Sequence, residues 1–109
     1  MTEASEFAVD QVEPGQLLQL AGRLDVHAAA DVRLALADAV EHGSGDLVID
    51  LASLEGVDAT GLGVLVGAHR RAGRAGRRLV LRDVQPPVHR LLFLTRLDRV
   101  LRLSTTDAA

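Results

Sequence analysis

A chain of 109 residues that is 48% hydrophobic, 25% charged and 2% aromatic has room for one self-supporting domain and not for two. Its 12 basic residues, all arginine, face 15 acidic ones for a net charge of −3, and Phe7 and Phe93 are its only aromatics, so it lacks the positive surplus and the stacking surface of a nucleic-acid binder. It has no cysteine, no apolar run near the roughly 18 residues of a membrane span, and an acidic polar start at Met1–Glu6; it reads as a cytoplasmic domain without disulfides, thiolate chemistry, signal peptide or direct membrane insertion.

The expected domain covers residues 1–109, with a core from about 7 to 103 and flexible ends at 1–6 and 104–109. Phe7–Val12 alternates apolar and polar residues and predicts a strand. Glu13-Pro14-Gly15 is turn chemistry, and Leu17–Leu24 predicts a second strand that closes a hairpin with the first. Asp25–Glu41 predicts a helix: at 100° per residue, Ala28, Ala29, Val32, Ala35, Leu36, Ala39 and Val40 share one face, and Gly43 and Gly45 stop it. Leu34 falls on its polar side, as a lone exposed leucine or a partner contact.

Asp46–Leu51 is short and apolar between acidic residues and predicts a buried strand, followed by a loop over Ala52–Val57. Gly61–Ala75 predicts a second helix, with Leu62, Leu65, Ala68, His69 and Ala72 on its core face and Gly63, Gly67, Arg70 and Arg74 opposite. Arg78–Arg82 predicts a strand, Pro86–Leu94 a third helix opened by proline, and Val100–Leu103 a last strand. The order β-β-α-β-α-β-α-β predicts an α/β domain: a mixed, mostly parallel sheet of four to five strands, opened by a β-hairpin, with helices packed on it.

The informative stretch is Val57–Leu65, where a buried strand hands over to a helix. Asp58 or Thr60 is the expected N-cap. The free N–H groups and partial positive charge of a helix start favour phosphate, so a hydroxyl there suits a phospho-acceptor. Taken alone, the segment has a plain structural account: capping for Asp58 and Thr60, and close packing or a tight entry turn for Gly61 and Gly63.

The segment does not stand alone. Gly22-Arg23-Leu24-Asp25 resembles the G-x-L-D signature of STAS domains, the family of sulphate-transporter domains and anti-sigma factor antagonists. Asp50–Asp58 resembles the family's D-L-S-x-V-x-x-x-D stretch, and Ala59–Leu65 its S-S/T-G-L-G-V-L helix start. Val84–Leu92 is similar to V-x-P-x-V-x-R-L-L, and Thr95–Asp98 to the T/S-G-L-D that follows. The resemblance runs from about Phe7 to Leu103 and is greatest to the small stand-alone antagonists.

The resemblance implies a binding switch and not an enzyme, with no cofactor and no metal. The implied partner is an anti-sigma factor that is also a serine-protein kinase of the ATP-binding kinase fold; capturing it frees a sigma factor. Phosphorylation at the start of the second helix would then break the complex. Asp25 matches the acidic loop residue near the partner, and Asp58 the acidic residue before the acceptor. The acceptor serine falls on Ala59, which has no hydroxyl, and Thr60 on the neighbouring Ser/Thr. Three readings stay open: Thr60 is the acceptor, the phospho-switch is absent, or the chain belongs to an unphosphorylated scaffold branch. The implied partner surface is Asp25, Asp58, Ala59, Thr60, Gly61 and Gly63, and the expected oligomeric state is monomer or weak dimer. The alternative role is a scaffold or accessory subunit of a stress-signalling or membrane-transporter complex.

The remaining features are weaker. His27, His42, His69 and His89 lack metal-ligand spacing. Gly61-x-Gly63-x-x-x-Gly67 is superficially similar to a dinucleotide loop, but the Ala52–Val57 loop would separate it from its strand. Phe93 lies off the Val88, Leu91, Leu92 face of the third helix and is expected to fold under the chain end or else to stand as an exposed apolar contact.

Overall fold

The computed structural model describes residues 7–106; the expectations for 1–6 and 107–109 lie outside the described residues. Five strands, β1 (Ala8–Glu13), β2 (Leu17–Leu24), β3 (Asp46–Val57), β4 (Arg78–Arg82) and β5 (Arg102–Ser104), form one sheet in that spatial order. The β1–β2 hairpin is antiparallel and every later pair is parallel. Three helices join them: α1 (Ala29–Glu41), α2 (Ala59–Arg74) and α3 (Pro86–Leu94), with a 3₁₀ turn at Leu97–Arg99 before β5.

Crossovers β2-α1-β3 and β3-α2-β4 step across the sheet in the same direction, so right-handed connections put α1 and α2 side by side on one face. The register gives that face the row Leu18, Ile49 and Leu81, all fully buried in the core with Val32, Leu36, Leu65 and Ala72 of the helices. The next residues along point the other way, and there the row is polar: Gln19, Asp50 and Arg82. Asp50 accepts from Gln19 at 3.3 Å, Arg82 at 3.2 Å and the Ala52 N–H at 2.9 Å. Burial alone would raise its pKa, but these donors outweigh it and hold the carboxyl below the ordinary carboxylate range.

β2, β4 and α3 have the expected bounds. The other five differ: β1 is shifted by one residue (Ala8–Glu13), α2 starts two residues early because Asp58 caps it (Ala59–Arg74), and α1, β3 and the last strand differ more, each for a physical reason. The α1 helix begins four residues late because the Asp25 carboxylate accepts the N–H groups of His27 (2.9 Å) and Ala28 (3.3 Å) and holds a turn there. Residues Ala52–Val57 are not a loop: β3 continues to Val57, pairing Ser53 with Ala21 and Val57 with Leu24, and two register shifts along β2 break the alternation that would have marked it as strand. The last strand starts two residues late and takes in Ser104, and the Thr106 N–H beyond it donates to Asp83 at 2.7 Å. Phe93 is 63% exposed, an outward apolar residue and not one folded under the chain end, because the core face of α3 is made by Val88, Leu92 and, in part, Leu91. Leu34 is exposed, as its place on the wheel required.

Candidate functional site

Parallel pairing of β2 with β3, down to Leu24 opposite Val57, brings two loops together at the carboxyl end of the sheet. One is Asp25–Ala28, leading into α1; the other is Asp58 alone, because α2 starts at Ala59. Ligand sites of parallel sheets gather at this edge.

Asp58, not Thr60, is the N-cap. Its backbone is extended, its Oδ1 accepts the Gly61 N–H at 2.8 Å, and its Oδ2 accepts the Val26 N–H at 3.2 Å from the other loop. Its own N–H donates to the Leu24 carbonyl at 3.2 Å. One side chain thus caps α2 and ties the two loops together. Asp25 spends its Oδ1 on its own turn. Both carboxylates are half-buried and committed to backbone donors, which makes them organisers of the surface more than free charges on it.

Gly61 is buried, and a Cβ there would collide with the Leu24 carbonyl oxygen, so only glycine lets the helix start sit this close to the end of β2. Ala59, Thr60 and Gly63 are exposed. A Cβ at Gly63 would meet nothing within 4 Å, so packing within the chain does not require a glycine there. The Thr60 hydroxyl makes no hydrogen bond among the described residues. What faces outward is therefore an uncharged hydroxyl and a bare helix turn, beside a phosphate-compatible helix N-terminus.

All six expected surface residues come together here, with Gly61 beneath the others. Val26 was missed. It is 61% exposed, held by Asp58, and adds an apolar contact next to Thr60's turn. Its signal was an apolar residue directly after Asp25, where no strand or helix is left to bury it. The four histidines form no metal-binding group with other ligands among the described residues, and none of the described helices is long and apolar enough to cross a membrane.

A family model described as "Mlab, STAS domain" matches residues 7–103. An anti-sigma-B factor antagonist of Bacillus subtilis is 33% identical over 96 residues, 88% of this chain and 87% of that protein. An anti-sigma F factor antagonist of Paenibacillus polymyxa is 33% identical over 86 residues, 78% and 74% respectively. The crystal structure of an anti-sigma factor antagonist from Mycobacterium paratuberculosis superposes with a TM-score of 0.72 at 26% identity, over 93% of this chain and 86% of that one.

Proposed function

This chain belongs to the STAS domain family, and from that premise we propose that it is an anti-sigma factor antagonist, a cytoplasmic regulatory module that works by docking and not by catalysis. Its partner in this reading is an anti-sigma factor with an ATP-binding serine-kinase fold, and capture of that partner releases a sigma factor. The contact is the surface of Asp25, Val26, Asp58, Ala59, Thr60 and Gly63, with Gly61 setting its shape.

The observation that carries the reading is the exposed hydroxyl of Thr60, without a hydrogen bond among the described residues, on a helix start already stabilised by Asp58. An interface can close over a hydroxyl. It cannot close over a phosphoryl group of charge about −1.5 to −2 placed beside Asp58 and desolvated by the partner. Transfer of the ATP γ-phosphoryl to Thr60 Oγ1 would form the new P–O bond, leave ADP, and pass the hydroxyl proton to the kinase. Gly63, one turn on, lets the partner's backbone approach α2. A second reading rests on Ala59: with no hydroxyl at the family's acceptor position, the chain would be an antagonist that stays permanently competent to bind.

Binding of the purified chain to a purified kinase-type anti-sigma factor, followed by mass spectrometry after ATP addition, tests both. We expect capture, phosphate on Thr60, and at least about tenfold weaker binding by Thr60→Asp and Gly63→Leu with melting temperatures near that of the parent. Capture without phosphate on Thr60 overturns the switch and favours the permanently competent antagonist. No capture by a well-folded chain overturns the docking role.

A further inference from the structure

Among the described residues six large apolar side chains are exposed, and four of them, Leu34, Phe93, Leu94 and Val100, lie on two surfaces of opposite charge. The first is the outer face of α1. Asp31, Leu34, Asp38 and Glu41 follow the i, i+3, i+7, i+10 spacing of one helix stripe, turned away from the buried Val32, Leu36 and Ala39. All four are exposed, Leu34 at 70%. Asp38 is engaged by His42 at 3.1 Å and by the Gln11 amide at 3.4 Å, whereas Asp31 and Glu41 have no ion-pair partner among the described residues. Arg33 stands about 100° around the helix from Leu34 and so lies off the stripe.

The second surface is the end of α3 and the 3₁₀ turn after it. Phe93, Leu94, Arg96, Asp98 and Arg99 line a cleft of about 250 Å³, and Arg90 stands one turn before Phe93 and Leu94 on the same side of α3. Arg90, Arg96 and Arg99 are exposed and have no ion-pair partner among the described residues. Asp98 is the one carboxylate lining the cleft. Arg96 has φ +65°, in the left-handed region that favours glycine, so the chain keeps a strained residue whose charge it does not itself pair. Helix α1 crosses from β2 to β3 and α3 from β4 to β5, toward opposite sides of the sheet, so a single molecule does not bring the two surfaces together.

We infer that the outer face of α1 in one copy of this chain docks on the α3 end of another. Leu34 enters the cleft against Phe93 and Leu94, and Asp31 and Glu41 pair with the exposed arginines of the second copy. The charges select this match. Contact of α1 with α1 sets carboxylates against carboxylates, and contact of α3 with α3 sets guanidiniums against guanidiniums. Made once, the contact leaves one α1 face and one α3 end free, which a third copy fills or a two-fold pair closes. An anionic membrane would use the α3 end and leave the acidic stripe and Leu34 without a role. The contact includes no residue of the Thr60 surface and does not depend on the function proposed for it.

Sedimentation velocity on the purified full chain tests this. One helix face against one helix end is smaller than a standard interface, so the expected Kd lies between about 10 µM and 1 mM. The average mass should rise with concentration over that range, and salt of about 0.5 M should weaken the association at least about threefold. Leu34→Arg and Phe93→Asp, both at exposed positions, should each raise the Kd at least about tenfold with melting temperatures near that of the parent. Mixed in equal amounts, the two variants should associate again, since each keeps the surface that the other has lost. Arg96→Gly relieves the left-handed arginine and removes its charge, so association weakens while the melting temperature holds or rises. A parent that stays monomeric at about 1 mM overturns the inference. Parent-like association by either variant alone also overturns it, as does a mixture no stronger than its parts. Binding of a monomeric parent to phosphatidylglycerol vesicles, lost in Phe93→Asp and kept in Leu34→Arg, overturns it in favour of a membrane surface.

Discussion

The two ends of the sheet treat their polar groups in opposite ways. At the amino end of β3 and β4, Arg77 is 8% exposed, and its guanidinium is laced into carbonyls from three separate segments. It donates to Ala39 and Val40 at the end of α1 (2.7 and 3.1 Å), to Gly15 in the hairpin turn (2.6 Å) and to Gly45 before β3 (2.9 Å). These bonds supply partners for carbonyls that α1 leaves open at its C-terminus and put a cation at the negative end of its dipole. At the carboxyl end, Asp25 and Asp58 brace two loops, but the Thr60 hydroxyl, the Val26 side chain and Gly63 are exposed, with no hydrogen bond to Thr60 among the described residues. The contrast teaches where this small domain keeps its cohesion: one end is locked by a single buried cation, which lets the other present a rigid surface without using up its own functional groups.

That comparison breaks most directly at Arg77. Arg77→Ala strands several carbonyls at once and should lower stability by about 3 kcal/mol or more in urea unfolding. Arg77→Lys should recover only part, since an ammonium cannot reproduce the planar fork. A loss below about 1 kcal/mol would show that the amino end is not the locked one.

Two glycines of α2 sharpen the contrast at the other end. Gly61→Ala forces a methyl group against the Leu24 carbonyl and should cost about 1–3 kcal/mol. Gly63→Ala enters open space and should stabilise the helix by up to about 1 kcal/mol. Matching melting shifts of the same sign would refute the division of α2's entrance into a packed side and a free side.

The smallest expected effect lies between the two ends, at Asp50. Its folded pKa is depressed, so its contribution to stability is full above the unfolded carboxyl pKa of about 3.9 and is lost as pH falls through the lower folded value. Asp50→Asn should therefore lower the melting temperature at pH 7, and the gap to the parent should close below about pH 4. A gap that persists undiminished at acid pH would place the cost in packing and not in charge.

Much of the fold was legible because its signals are local. Alternation in β2, the proline start of α3 and the apolar stripe of α1 report on neighbours a few residues away. β3 was cut short at Leu51 because the bulged pairing with β2 shifts which side chains face in, and Ala52 and Ser53 sit exposed within a strand. Phe93 took the second of its two readings, exposed and not folded under, because its burial depends on whether anything packs over α3, which no local pattern encodes. In the site, Asp58's role as cap was readable from its position, but its bond to Val26 was not, since 32 residues separate them. Arg77 drew no attention as one arginine among 12, for the same reason.

The amino-acid sequence by itself determined the order and kind of the elements, the core faces of α1 and α2, and the family motifs around Asp25, Asp58 and Thr60, because each is written in side-chain periodicity or in contiguous residues. Tertiary structure decided which of those residues face water, that Gly61 lies beneath the surface formed by Thr60 and Gly63, that Val26 joins them, and that Arg77 holds the far end closed. Those outcomes depend on parallel strand pairing, which brings distant segments into contact, and no local pattern of residues states which segments will meet.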